Sequence, residues 1–361
     1  MGEGPFERIL VWLPNWVGDV VMATPLLRAL RGGFGSARID YVGRPAALEV
    51  MAGTEWADGM IPDRTSWLGD WASLARRLRA ERYNLAVLLP NSLRTALIAA
   101  WGRAERILGY DRDWRGRWLT DKVETPRDDR RRPKVVPQID YYIGIGEFLG
   151  VPCDDRAMSL PLRPEDRAAA DAELRAAGVE AGRPLVMVNP GASYGSSKMW
   201  MPERYAGVAD ALIESRGAQV IVHAAPSERG VAGRVVGAMA RKPAMHFADR
   251  DSTIGLLKAL LARSSLLITN DTGARHVAAA MDTPVVTLFG STDPERTRLD
   301  YARERIVRVD VPCSPCQRKR CPLPRGPGHH ECMTTITSEM VLQAASELLD
   351  LAAAPSHRSS T

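Results

Sequence analysis

No uninterrupted apolar stretch in this chain is long enough to span a bilayer. The nearest candidate, residues 9–30, is broken by Pro14, Asn15, Asp19, Pro25 and Arg28. A cationic leader followed by a small-residue cleavage site is also missing, so no signal peptide is expected and the expected compartment is the cytoplasm. Cysteines number only five in 361 residues. Structural disulfides are rare in that compartment. Short repeats and Walker A spacing are absent. So are paired zinc-finger histidines, a basic zipper and an aromatic RNA-binding signature, and nucleic acid is not an expected partner.

What is present is ordinary soluble-protein composition, 45% hydrophobic and 25% charged, in a chain long enough for two cores. The net charge of +5 is concentrated in Arg-rich stretches at 76–79, 112–117, 127–134 and 318–320. Singly, each reads as solvated surface. Together they suit phosphates or an anionic membrane face.

Short apolar runs alternate with helical periodicity, the signature of an α/β protein with parallel sheets. Strands are expected at 8–13, 38–42 and 85–89, and helices at 19–30, 68–79, 92–101 and 139–149. The stretch 125–137 reads as a surface loop or a lid, and the proline-rich stretch 152–164 as a linker. The alternation then restarts. Strands are expected at 184–188, 218–222, 266–269 and 285–289, and helices at 202–215, 231–239, 253–261 and 338–351. The tail from 355 reads as disordered. The expected organisation is an N-terminal lobe over 1–160, a second lobe over 161–340, and a C-terminal segment over 341–361.

Two strand-to-helix junctions stand out. One carries Gly18-Asp19 and the other Asn270-Asp271-Thr272-Gly273. They lie roughly 250 residues apart, too far for one ordinary domain. Ligands in open α/β sheets bind beyond the carboxyl ends of strands. Two such junctions predict two lobes facing one cleft, one offering a carboxylate and the other amides suited to phosphate. Asp19 reads most simply as a helix N-cap. The alternative is a general base for an attacking hydroxyl. The turn Asn189-Pro190-Gly191-Ala192-Ser193, with Lys198 downstream, could meet a phosphate and neutralise a departing diphosphate. Thr272 and Gly273 would place N–H groups at a helix N-terminus, where the dipole favours anions. His276, one turn in, either reaches the ligand or packs within the fold. Cys313, Cys316, Cys321 and Cys332 begin with zinc-knuckle spacing. Reduced thiols packed in a loop are the plainer reading.

At these residues the chain resembles glycosyltransferase family 9, the bacterial heptosyltransferases. The likeness is carried by Leu13-Pro14-Asn15-Trp16-Val17-Gly18-Asp19, by Asn189-Pro190-Gly191-Ala192, and by Lys198-Met199-Trp200-Met201-Pro202-Glu203-Arg204-Tyr205. Asn270-Asp271-Thr272-Gly273 and the cysteine segment Cys313-Ser314-Pro315-Cys316 complete it. The resemblance implies a GT-B fold of two Rossmann-like lobes. It implies an inverting enzyme that moves L-glycero-D-manno-heptose from ADP-heptose to the first heptose of the lipopolysaccharide inner core, on Kdo-lipid A. Addition of a first or branch heptose, or a nucleotide-sugar epimerase of the same fold, is the alternative. In the family the aspartate matching Asp19 is the base, and the residues matching Lys198, Asp271, Thr272 and Gly273 hold the diphosphate. Neither metal nor cofactor is implied. The implied anionic acceptor gives the basic patches a purpose, peripheral contact with the inner face of the inner membrane.

Overall fold

A computed structural model describes residues 6–130 and 134–353. Part of the expected loop or lid, residues 131–133, lies outside the described residues, as does the expected disordered tail. The chain divides into two compact units, Met1–Pro161 with Glu295–Leu299, and Leu162–Pro294 with Asp300–Thr361.

The first unit contains β1 (Arg8–Trp12), α1 (Val17–Met22), α2 (Thr24–Gly33), β2 (Arg38–Gly43), α3 (Pro45–Val50) and β3 (Gly59–Pro62). It continues with α4 (Leu68–Glu81), β4 (Leu85–Leu88), α5 (Leu93–Trp101), β5 (Arg106–Tyr110), β6 (Asp121–Val123) and α6 (Gln138–Phe148). Its six strands pair in the order β3-β2-β1-β4-β5-β6, with every pairing parallel. Helices cover a parallel sheet on both faces, so its central strands are apolar without alternation. In β1, Ile9, Leu10, Val11 and Trp12 are all buried. The single helix expected over 19–30 is two helices that meet at Ala23. Pro25 occupies the first turn of α2, where its missing N–H costs nothing, whereas mid-helix it would break the ladder.

The second unit contains α7 (Pro164–Ala176), β7 (Leu185–Asn189), α8 (Pro202–Arg216), β8 (Gln219–Val222), α9 (Arg229–Ala238), β9 (Met245–His246) and α10 (Ile254–Arg263). There follow β10 (Leu266–Asn270), α11 (Gly273–Ala280), β11 (Val285–Phe289), β12 (Glu304–Arg308), α12 (Glu331–Thr334) and α13 (Ser338–Ala353). Its sheet, β9-β8-β7-β10-β11-β12, repeats the topology of the first strand for strand. α13 is no separate appendage. Val341, Ala345 and Leu348 are buried in the same core as Val186, Leu212 and Leu288.

In both sheets the order reverses beside the first strand of the unit, between β1 and β4 and between β7 and β10. These are the switch points at which α/β sheets bind ligands. Asp19 follows β1, while Ser193 and Lys198 follow β7 and Asp271 follows β10.

Candidate active site

Asp19 is not the cap of its helix. α1 begins at Val17 with Trp16 in the N-cap position, and Asp19 is the third helical residue. The turn out of β1 is made by Leu13–Trp16 (residues 13–16), so Gly18 is spent inside the helix. A carboxylate in a first helical turn is stabilised by the helix dipole. The Asp19 side chain is part-exposed. Tyr142 is fully buried, and its phenol is pushed well up by burial first and by the Asp19 charge second.

Beyond β3 and β4 a buried ion pair stiffens the same edge. Asp63 is wholly buried and takes Arg94 at 2.7 Å. Burial works to raise the Asp63 carboxyl, but hydrogen bonds from Arg94 and Thr65 hold it below the usual carboxylate value. The Arg94 guanidinium also lies over the buried Trp12 ring, 5.7 Å from its centroid.

In the second unit Lys198, Asp271, Thr272, Gly273 and His276 come together at the β7–β10 switch point. Lys198 Nζ donates to Asp271 Oδ2 at 2.6 Å and to the Asp271 carbonyl at 3.1 Å. Its ammonium also faces the Tyr194 ring at 4.8 Å. Thr292 Oγ1 donates to the same carboxylate oxygen at 2.8 Å, and Arg275 lies 3.7 Å from the other. Burial opposes the Asp271 charge, yet the cations Lys198 and Arg275 hold its pKa below the ordinary value. Two cations thus bear on Asp271, and Glu304 balances Arg275 from its other side, so the four charges sum to zero. Arg275 is in turn completely buried and held by Glu304 on β12 at 2.6 Å.

Thr272 is the N-cap of α11 but makes no side-chain cap hydrogen bond. Arg275 N–H turns back to the Thr272 carbonyl at 3.2 Å, and a helix start without a side-chain cap suits an anion. His276 is buried in α11, and its Nδ1 has no partner. Burial first, then Arg275, lowers its pKa to about 3, so the ring is neutral beside the cations.

Asn270 ties the two halves of this site together. Its Nδ2 donates to the carbonyls of Pro190 and Gly191 at 2.9 and 3.2 Å. Its Oδ1 accepts from Trp200 N at 3.3 Å and from Tyr205 Oη at 3.0 Å. All four hydrogen-bonding positions of this buried amide are filled. The result is that the β7 turn and the loop entering α8 are held in register with the β10–α11 junction.

Ser193 sits apart from the lysine cluster, with its hydroxyl donating to Glu228 Oε1 at 3.0 Å. Sequence reading missed Glu228. Burial raises its carboxyl, a shift partly offset by Ser193 and by the amides of Ala225 and Ala192. A Cβ on Gly191 would sit 2.0 Å from Glu228 Oε2, so that glycine makes room for the carboxylate. The available signal was positional: Glu228 follows β8, in the place where dinucleotide folds carry a ribose-binding acid.

The cysteine segment follows β12, an edge strand paired with β11 that the sequence reading did not include. Beyond β12 the chain doubles back over the loop 194–198. Tyr194 Oη donates to the Gln317 carbonyl at 3.1 Å, and Ser197 N to the Lys319 carbonyl at 3.2 Å. The approach is so close that a Cβ on Gly195 would meet the Lys319 oxygen at 2.2 Å. The five cysteines are free thiols. Cys313, Cys316, Cys321 and Cys332 line one small cavity with His330. Among the described residues no three His, Cys, Asp or Glu side chains are placed to hold a metal ion.

Two copies of one nucleotide-binding topology, the second with a lysine beside a helix start at its switch point, define the GT-B class of glycosyltransferases. Residues 71–325 match the profile of glycosyltransferase family 9 (heptosyltransferase). The chain belongs to that family and is a glycosyltransferase. It is similar to lipopolysaccharide heptosyltransferase 2 of Salmonella typhimurium, 26% identical over 95% of this chain and 98% of that one. The enzyme of the same name from Escherichia coli is also 26% identical over the same shares. Among solved structures, the family 9 glycosyltransferase from Veillonella parvula superposes with a TM-score of 0.82 at 24% identity, covering 97% of this chain and 99% of that one. E. coli ADP-heptose LPS heptosyltransferase II gives 0.78 at 24% identity, covering 96% and 99%.

Proposed function

We propose that this enzyme transfers L-glycero-D-manno-heptose from ADP-heptose to the first heptose of the lipopolysaccharide inner core, with inversion. The observation that carries the reading is the Lys198–Asp271–Arg275 cluster beside the uncapped start of α11. It offers the Lys198 ammonium and backbone donors to a leaving diphosphate. The names of the relatives supply the sugar and the acceptor class. On this reading residues 1–160 take the acceptor, and 161–340 the nucleotide-sugar.

Asp19 is the general base. Its carboxylate removes the proton from the acceptor heptose hydroxyl as that oxygen attacks the anomeric carbon of the donor. The bond from that carbon to the diphosphate oxygen breaks on the opposite face, and ADP leaves with the electron pair. Lys198 and the amides of Thr272 and Gly273 stabilise the charge that develops on ADP. Ser193 contributes a hydroxyl held by Glu228. Asp271 acts through Lys198, fixing where the ammonium points. His276 offers a neutral ring, which avoids adding a third cation.

The enzyme works in the cytoplasm, at the inner face of the inner membrane where a lipid-anchored acceptor resides. On this reading the contact is peripheral; no helix among the described residues is long and apolar enough to cross a membrane. A second reading, addition of the first heptose, is favoured by similarity to lipopolysaccharide heptosyltransferase 1 of Pseudomonas aeruginosa, 24% identical over 87% of both chains.

Acceptor-dependent ADP release separates these. ADP-heptose is supplied with Kdo-lipid A carrying no heptose or one. Turnover is expected only with the heptosylated acceptor. Turnover only with the bare acceptor moves the enzyme to the first-heptose step. Release with neither, from folded protein that binds the donor, overturns heptose transfer.

A further inference from the structure

Several segments that follow strands of the first sheet open on large apolar side chains turned to solvent. Trp16 precedes α1, Trp67 and Leu68 open α4, Leu93 opens α5, and Trp114 precedes a short 3-10 turn, Arg115–Trp118. All are exposed, Trp67 at 66%, Leu68 at 63% and Trp114 at 94%. Because every strand in this sheet is parallel, the loops after β1, β3, β4 and β5 leave from one edge. Burial normally claims such residues, and a cluster of them left outside marks a contact surface.

The exposure is built into the backbone. Arg115 is completely buried and donates to the Tyr110 carbonyl and to Asn91 Oδ1, each at 2.9 Å, and to the Pro90 carbonyl. That anchor pins the turn to the ends of β4 and β5 while Trp114 projects outward. Asp113 and Trp114 both hold positive φ, 54° and 62°, an uncommon conformation for a bulky side chain. Near α4, Asp70 Oδ2 accepts from the backbone N–H of Ser66 at 2.9 Å and of Trp67 at 3.3 Å, fixing the segment that carries Trp67 and Leu68.

Arg64, Arg112 and Arg117 lie exposed on the same loops, with the exposed carboxylates Asp111 and Asp113 on either side of Arg112. The second unit has no counterpart. Its exposed large apolar residues among those described, Ile306, Leu323 and Leu351, open no helix after a sheet strand. Indoles set among arginines suit the boundary between water and acyl chains. The ring is apolar with a polar N–H, and guanidinium groups meet lipid phosphates.

We propose that the carboxyl edge of the first sheet is a membrane-docking surface. Trp67, Leu68 and Trp114 seat among the headgroups of an anionic bilayer, and Arg64, Arg112 and Arg117 engage its phosphates. The inference rests on the proposed lipid-anchored acceptor and names the face that reaches it.

The test uses the full chain and vesicles of phosphatidylglycerol and phosphatidylethanolamine that carry no sugar acceptor. Co-sedimentation of the wild-type protein is expected, weakening with salt. The combined variant Trp67→Ser, Leu68→Ser and Trp114→Ser is expected to lower the partition coefficient at least about tenfold, given the apolar area removed. Trp114→Ser alone, at a side chain outside any core, should give a smaller fall in the same direction with an unchanged melting temperature. No wild-type binding, or equal binding by the variants, overturns the proposal. Turnover on a deacylated, water-soluble acceptor should be unaffected. Its loss in the variants would assign the indoles to the sugar and also overturn docking. Failure of the wild type on that acceptor strikes the proposed activity and leaves the vesicle result standing.

Discussion

Mild acid should destabilise the second unit through two histidines that the fold keeps neutral. His223 lies buried at the end of β8, where its Nδ1 donates to Asn189 Oδ1 at 3.0 Å and its Nε2 meets Ser252 Oγ at 2.9 Å. Burial lowers its pKa to about 4, and His276 falls to about 3. An unfolded imidazole titrates near about 6.5. Below that value the unfolded chain binds protons that the folded chain refuses, so stability falls as pH falls. At pH 5 each histidine costs about 2 kcal/mol, and the pair about 4 kcal/mol. The lowered pKa of His330 has the same sign. Glu228, with its raised pKa, opposes the trend and offsets part of it. Asp271 is held low, so its contribution is lost only in stronger acid, outside this window. For a unit of this size about 4 kcal/mol corresponds to a fall in Tm of about 8–16 °C between pH 7.5 and 5. Calorimetry across that range, on wild type and on His223→Gln, reads the effect. The variant should start less stable at pH 7.5, because a flexible amide replaces the ring that meets Asn189 and Ser252 together, yet lose about 2 kcal/mol less on acidification. An unchanged pH slope in His223→Gln, or no wild-type loss by pH 5, would refute the reasoning.

Other outcomes follow from the same geometry. Asp19→Asn should abolish transfer while ADP binding and Tm stay near wild type; near-normal turnover removes the base assignment. Lys198→Met should weaken ADP about 10- to 100-fold by isothermal titration, the range for losing a charge-assisted bond, and unchanged affinity would dismiss the diphosphate role. Asn270→Ala orphans four buried groups at about 1 kcal/mol each, so urea unfolding of the second unit should show a loss of about 4 kcal/mol; a loss below about 1 kcal/mol would mean those groups find other partners. Gly195→Ala forces a methyl against the Lys319 carbonyl. It should speed alkylation of Cys316 and Cys321 by loosening the strap over the 194–198 loop, and unaltered thiol reactivity would show that the strap does not depend on this contact.

Most strands that lie mid-sheet were legible because parallel strands buried on both faces read as unbroken apolar runs, as in Leu185–Asn189 and Val285–Phe289, whereas Arg106–Tyr110, a mid-sheet strand opened by arginine and interrupted by Gly109, was not. Edge strands were not. Gly59–Pro62, Asp121–Val123 and Glu304–Arg308 carry proline or charge, as edges do, and so lack that signature. The chemistry-bearing residues were likewise visible where they follow a readable strand. Asp19, Ser193, Lys198 and Asp271 were found as residues beyond strand ends, and the architecture repeated in the two halves followed from the restart of the pattern.

What the sequence determined by itself was local: periodicity, the places where strands hand over to helices, and the types of side chain waiting there. Pairing belonged to the tertiary structure. Only the folded second unit brings Lys198 to Asp271 across 73 positions of chain and locks Arg275 to Glu304 on an edge strand no pattern announced. It also places Glu228 behind Ser193 and lays the cysteine segment over Gly195. Such contacts depend on the order in which strands lie side by side. That order is set by how whole elements pack, a sum over many buried surfaces, and no window of neighbouring residues contains it.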